Sequence, residues 1–295
     1  MKNGLLFDVP EEKKLRVIID TDAACEADDP FAIVQALLSP KLNVRGIVAE
    51  HFGEPGSMRK SYEEIGTILK AMRLDVPRLA GQEGPPEEDP GLSEGAEFII
   101  REGLAESDRP LFLLCQGAIT NVAAAFRKCP ALIGRVTVIW IGTHGEAPCK
   151  APFREYNAGN DVAAANLVLG SGTDLWLVPS RVYGTVTVGL AEIQRRIRPC
   201  GEIGRHLFEQ MIAYNMSGRA GWTKGESWSL GDSPAIALAL NPDCGHWKTV
   251  PAPWIAEDTS SVPREGNPPV RLYTDVDSRY ILEDLIAKLE LFAEG

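Results

Sequence analysis

Residues 16–30 read Arg-Val-Ile-Ile-Asp-Thr-Asp-Ala-Ala-Cys-Glu-Ala-Asp-Asp-Pro. Arg16–Asp20 is a short β-branched run of the kind that forms a buried strand. Asp20, Asp22, Glu26, Asp28 and Asp29 then place five carboxylates within ten residues. Pro30 suits the first position of a helix, which makes Pro30–Leu38 the expected helix and Asp29 its expected N-cap. Acid groups so close repel one another, and one helix terminus, worth about half a unit charge, does not balance five. An oxygen-ligated divalent cation would, and Ca2+ accepts such flexible, carboxylate-rich geometry. The alternative is a solvated acidic loop before a well-capped helix. Its place at the end of a strand, where open α/β sheets bind ligands, argues for a site.

Outward from this stretch, short β-branched runs keep alternating with segments of helical period, the pattern of βαβ units and a parallel sheet. The further strands expected are Val44–Ala49, Leu111–Cys115, Val136–Ile141 and Asp174–Val178. Met58, Tyr62, Ile65, Leu69 and Met72 form one apolar stripe, so Met58–Arg73 is expected to be a helix. Others are expected from Thr120, from Asp161 and over Ile281–Phe292. Gly81–Gly95 and Ser260–Pro269, rich in Gly, Pro and charge, read as surface loops, and Glu87, Glu88 and Asp89 as solvated acid. The fold class is α/β: residues 1–295 as a single domain with a central, mostly parallel sheet flanked by helices, a two-domain split being the second arrangement.

Composition narrows the function. The 295 residues carry 41 Asp+Glu against 30 Lys+Arg, a net charge of -11, with no basic cluster to neutralise phosphates, so no nucleic-acid partner is expected. A chain of this length and 44% hydrophobic content builds a large core without disulfides or metal. The six cysteines lie apart, with no CxxC pair, and read as reduced thiols. The N-terminal segment has neither a signal-peptide pattern nor a spanning helix. The expectation is a cytoplasmic protein with no membrane partner.

Spacing tests other acidic motifs. An EF-hand loop from Asp20 needs Gly and Glu where Cys25 and Phe31 stand, so it fails. A phosphohydrolase of the strand-DxD type would use Asp20 as nucleophile with Mg2+. It usually has a later GDxxxD; Gly231-Asp232 is present, but Ile236 takes the place of the second Asp. No Walker A or full dinucleotide fingerprint occurs.

At this point the sequence resembles the calcium-dependent nucleoside hydrolase family of the inosine–uridine preferring type. Asp20, Asp22, Asp28 and Asp29 match its DxDxxxDD with two extra residues before the pair. Gly117-Ala118-Ile119-Thr120-Asn121 is similar to its G-P-L-T-N segment, Glu155-Tyr156-Asn157 with Asp161 to its E-F-N…D segment, and Gly231-Asp232-Ser233-Pro234-Ala235 to its H-D-P-x-A. The resemblance covers roughly Arg16–Leu240. It implies hydrolysis of the N-glycosidic bond of a nucleoside, with Asp22, Asp29, Asp232 and the Thr120 carbonyl holding Ca2+. Asp22 would take the proton of the attacking water. Asp28, Glu155 and Asn157 would bind the ribose, with Glu26 as a substitute for Asp28. It also implies a homodimer or homotetramer.

The family's His before its last metal-binding Asp is Gly231 here, so the leaving-group acid must come from elsewhere. His51, at the end of the second strand, is the candidate, beside Glu50 and Glu54. His144 reads as a surface-loop residue, and His206 and His246 as structural or exposed. Trp222 and Trp228, ahead of Asp232, offer indoles to stack on a purine. Two other readings stand: the Mg2+-dependent phosphohydrolase using Asp20, and a catalytically silent ribose-binding protein.

Overall fold

The computed structural model describes residues 4–85 and 91–295. The first half runs β1 (Leu15–Thr21), α1 (Asp29–Leu37), β2 (Leu42–Ala49), α2 (Ser57–Met72), β3 (Arg78–Ala80), α3 (Glu94–Leu104), β4 (Leu111–Cys115), α4 (Thr120–Lys128) and β5 (Val136–Ile141). The second continues α5 (Tyr156–Asn160), α6 (Val162–Leu169), β6 (Asp174–Val178), α7 (Ser180–Tyr183), β7 (Thr187–Gly189), α8 (Leu190–Glu192), α9 (Gly201–Asn215), β8 (Ser227–Ser229) and α10 (Ser233–Leu240). Strands β9 (Trp247–Pro251), β10 (Trp254–Ile255), β11 (Ser261–Val262) and β12 (Pro269–Tyr273) precede the closing helix α11 (Ser278–Glu294).

Eight strands form one sheet in the order β3-β2-β1-β4-β5-β6-β12-β9. All neighbours are parallel except β12 and β9, so the expected single α/β domain is what the chain forms. Side chains alternate between two cores, as strand period demands. Val17, Ile19, Phe112, Leu114, Ile139 and Ile141 enter the core under α1, α2, α9, α10 and α11. Ile18, Leu113, Cys115, Val138 and Trp140 enter the core under α3, α4 and α6. Burial on both faces is why these strands read as continuous apolar runs.

The strand order reverses between β1 and β4. The loops leaving their carboxyl ends therefore diverge and open a crevice, the place where doubly wound sheets bind ligands. Asp20 is in register with Val48 of β2 and Cys115 of β4, so the acidic loop leaves the sheet beside Gln116 and Gly117.

Several local expectations change. Helix α1 begins one residue early: Asp28 is the N-cap, and Asp29 and Pro30 fill the first turn. Neither carboxylate caps the helix, because both are engaged elsewhere in the crevice. In the Gly81–Gly95 stretch, residues 86–90, with Glu87, Glu88 and Asp89, lie outside the described residues. Glu94 and Gly95 already belong to α3, whose N-cap Ser93 accepts from the Ala96 N–H at 3.2 Å. Ser260–Pro269 contains β11 and the first residue of β12. All six cysteines are free thiols.

Trp140 ties a core to the crevice: its ring is fully buried, and its Nε1–H donates to the Gly117 carbonyl at 3.0 Å. Trp140→Ala should lower the unfolding free energy by about 3–5 kcal/mol in urea denaturation. A change no larger than that of a surface substitution would contradict this packing.

Candidate active site

The crevice widens into a cavity of about 670 Å3 at the carboxyl edge of the sheet. Its floor is built by two helices that begin alike. Asp28 precedes Asp29-Pro30 at α1, and Asp232 precedes Ser233-Pro234 at α10. The two helices pack together, so both amino termini and their partial positive charge meet at the acid groups. Carboxylate oxygens of Asp28, Asp29 and Asp232 lie within 4.8 Å of one another. The Thr21 hydroxyl donates to Asp29 at 2.5 Å, and the Gly231 N–H to Asp28 at 2.9 Å. Gln210 of α9 holds the loop by donating to the Ala27 carbonyl at 2.8 Å. Asp22 and Glu26 also line the cavity.

The neighbouring β4–α4 turn comes so close that only glycine fits. A Cβ on Gly117 would lie 2.3 Å from Glu50 Oε2 and 2.6 Å from Asp22 Cγ. Asp20 and Glu50 stand beneath this turn, fully buried. Asp20 Oδ1 accepts from Asn121 at 2.8 Å, whereas Asp20 Oδ2 and both Glu50 oxygens find no donor among the described residues. Burial raises Asp20 to about 6 and Glu50 well above the usual range, with the charge of Asp20 adding to the latter.

Burial also drives the lining acids upward. Asp22 and Asp28 rise well above the ordinary carboxylate range through burial and then through Asp29 and Glu26. Asp232 does so through burial and then Asp28 and Asp29. Glu26 is raised to about 7 by burial and by Asp29. Asp29 rises through burial, opposed by the Thr21 hydroxyl. An all-oxygen cup whose acids resist ionising together fits a hard divalent cation, which would hold Asp28, Asp29 and Asp232 ionised.

Around the cup, Asn157 donates from Nδ2 to the carbonyls of Gln116 (2.8 Å) and Ile141 (2.9 Å) and lines the cavity. Glu155 lies one layer deeper. It caps α5 by accepting from the Ala158 N–H at 2.8 Å, and it accepts from the Tyr183 hydroxyl at 3.0 Å. Trp222, 59% exposed, and the buried Trp228 form the rim with ring centroids 5.3 Å apart.

Four expectations are corrected by position. Thr120 does not reach the lining; it opens α4, and its hydroxyl donates to Asp161 at 2.8 Å. The residue of that segment that lines the cavity is Gln116, at the strand end, its side-chain amide buried and unpartnered among the described residues. His51 is buried behind Thr120 and meets Thr120 Oγ1 at 2.8 Å. Since the Thr120 proton goes to Asp161 and the Gly53 N–H points at Nδ1, the His51 proton belongs on Nε2. Burial lowers its pKa, so a neutral ring positions Thr120 without facing the cavity. His144 is not a surface residue: Nδ1 meets Ser180 Oγ at 2.9 Å and Nε2 the Phe153 carbonyl at 3.0 Å. His206 pairs with Glu64, and His246 with Asp275 at an exposed edge. Asp20 lies beneath the lining and offers a substrate no nucleophile.

Gln116, Tyr183, Phe153 and Arg154 line the cavity without having been singled out by motif. Gln116 and Tyr183 follow the carboxyl ends of β4 and β6, a signal that strand position alone carries.

A doubly wound sheet with a buried aspartate cup under an aromatic rim, at the switch point, defines a binding site for a small polar ligand held against a metal-competent floor. The profile of the inosine-uridine preferring nucleoside hydrolases matches residues 17–281, and the chain belongs to that family. It is an N-glycosidase of the nucleoside hydrolase type. The pyrimidine-specific ribonucleoside hydrolase RihA of Salmonella typhimurium is 24% identical over 95% of this chain and 99% of its own length. The purine-preferring ribonucleoside hydrolase from Gardnerella vaginalis superposes with a TM-score of 0.79 at 18% identity, over 95% of this chain and 99% of that one. A plant nucleoside hydrolase gives 0.77 at 20% identity, over 94% and 99%. No helix among the described residues is long and apolar enough to cross a membrane.

A folded-state carboxyl pKa above the unfolded value means that the folded chain binds more protons, so stability falls as pH rises through the folded pKa. For Asp20, about 6, and Glu26, about 7, the fall spans roughly pH 4 to 8. Chelator-treated protein should therefore melt at a lower temperature at pH 8 than at pH 5, and a divalent cation should restore the difference. A flat metal-free profile would show that the acids are ionised without a cation.

Proposed function

We propose that the protein hydrolyses the N-glycosidic bond of a ribonucleoside in a Ca2+-dependent reaction in which Asp22 takes the proton of the attacking water. The observation that carries this reading is the cup of Asp28, Asp29 and Asp232, buried beside Asp22 at two helix amino termini. Asp28, Asp29 and Asp232 would hold a divalent cation, which when bound would lower the pKa of a water and neutralise the acids around it. The donors are all oxygen, carboxylates from two helix starts, a carboxylate-rich set suited to Ca2+ more than to the strict, water-retaining octahedron of Mg2+.

Asp22 lies on the same floor, where its carboxylate can accept the proton as the water attacks C1′. The transition state is oxocarbenium-like, and the surrounding carboxylates oppose its positive charge. Glu26, Asp28 and Asn157 line the space for the ribose hydroxyls, with paired acceptors and an amide as matching chemistry. Glu155, held by Tyr183 and by the start of α5, fixes the segment that carries Asn157. Trp222 and Trp228 offer ring faces to the base. The related enzymes are named for pyrimidine specificity in one case and purine preference in the other. The free thiols agree with a reducing, cytoplasmic setting. A homodimer or homotetramer is the assembly the family implies, and light scattering reads it.

The test is release of reducing sugar from purine, pyrimidine and modified nucleosides. Asp22→Ala should lower kcat by about 10²–10⁴-fold, the range of a lost general base. Chelation should abolish activity, and Ca2+ should restore it where Mg2+ does not. Ribose binding without release from any nucleoside would instead support the silent ribose-binding reading.

A further inference from the structure

Helix α9 buries Ile203, Leu207 and Met211, and beside that stripe His206, Gln210 and Tyr214 recur every fourth residue and stand in a row. The row touches elements far apart in the chain. His206 Nε2 meets Glu64 Oε1 of α2. One turn on, Gln210 Nε2 donates at 2.8 Å to the carbonyl of Ala27, the residue between Glu26 and Asp28. A further turn on, the Tyr214 ring packs edge-on against Trp228, and the Arg219 guanidinium lies over the same ring while donating to Glu54 at 3.2 Å. Asn215 closes the helix, accepting from the Thr223 hydroxyl at 2.6 Å and donating to the Gly225 carbonyl at 3.0 Å. Helix α9 is thus pinned on both sides of Gln210 and is a fixed reference for whatever that side chain holds.

The acidic loop is otherwise lightly tied. From Ala23 to Ala27 the chain forms no helix or strand, and its backbone hydrogen bonds among the described residues are the Cys25 N–H to the Asp22 carbonyl at 2.7 Å and the bond from Gln210. The methyls of Ala23 and Ala27 are buried in the core, but apolar burial is non-directional and leaves the peptide planes free to turn. Asp22, Glu26 and Asp28 repel one another, and a loop that turns relieves this by spreading them. A hydrogen bond to a carbonyl has direction, and here its donor is a neutral amide. A lysine in the same place would discharge the acids and compete with a cation for them. The amide orients the loop and leaves the charge where it is.

We infer that Gln210 is a positioning residue for the metal cup: through the Ala27 carbonyl it holds Asp28 in the place beside Asp29 and Asp232 that a divalent cation needs. The inference rests on the cation part of the proposed function. Asp29 and Asp232 are placed by the starts of α1 and α10. Asp28 stands where the loop enters α1, and its N–H belongs to the same rigid peptide unit as the Ala27 carbonyl. Fixing that carbonyl therefore fixes the plane from which Asp28 leaves the loop. Without Gln210 the plane is free to turn, repulsion draws Asp28 from its neighbours, and the cup opens.

The experiment titrates Ca2+ into chelator-treated wild type and Gln210→Met by calorimetry, with amide hydrogen exchange of the metal-free proteins read segment by segment. Methionine keeps the length and the apolar stem of Gln210 and removes its donor; Gln210→Leu serves as a second variant. Each should bind Ca2+ about tenfold or more weakly, the usual cost of losing a hydrogen bond behind a metal ligand, while β4 and β5 exchange as in the wild type. Unchanged Ca2+ affinity would overturn the inference. Exchange that quickens in β4 and β5 as much as in residues 22–28 would do so too, because Gln210 would then support the fold as a whole. If the wild type binds no Ca2+, the cation reading fails separately and exchange decides. Residues 22–28 exchanging about fivefold faster in the variants sustain the positioning of Asp28 by Gln210, and equal rates end it.

Discussion

Carboxylic acids buried at one point of a sheet repel each other, and the rest of this structure is arranged around that repulsion. Asp22, Asp28, Asp29 and Asp232 converge where burial disfavours their charge. What the fold supplies is partial: two helix amino termini, one threonine hydroxyl and one backbone N–H. These orient the acids without neutralising them. The remaining imbalance is what fits the cup to a divalent cation and the floor to a positively charged transition state.

The layers behind the cup hold it in shape. Gly117 lets a backbone turn pass between Asp22 and Glu50, and Trp140 anchors that turn to the core. The line His51, Thr120, Asp161 and the start of α6 braces the base of α4. His51 therefore belongs to the support of the site, and its buried neutral ring is a positioning device. Glu155 acts similarly: with Tyr183 on one oxygen and α5 on the other, it sets Asn157 at the cavity wall.

Much of the sheet could be read from the chain. Leu111–Cys115, Val136–Ile141 and Asp174–Val178 are strands with the bounds expected from their apolar runs. Trp247–Pro251 and Pro269–Tyr273 were not legible, because an edge pair with polar and proline residues lacks the signature of a doubly buried strand. Helices Glu94–Leu104 and Gly201–Asn215 went unread among glycines and charges that a tertiary contact makes acceptable. At the site, the acidic run and Gly231-Asp232 were visible as motifs. Gln116 and Tyr183 were not, since nothing in their residue type distinguishes them from ordinary turn residues.

The sequence by itself determined the alternation of strand and helix, the acid-rich turn after the first strand and the family to which the chain belongs. These depend on local pattern and on residue types at short spacing. Only the tertiary structure decided that Asp28 joins Asp29 and Asp232 in the cup, that Gln116 and not Thr120 faces the cavity, and that His51 is walled off from it. Those outcomes depend on where strand ends meet at the reversal of the sheet order, and a one-residue step along a strand end or helix start exchanges lining for support.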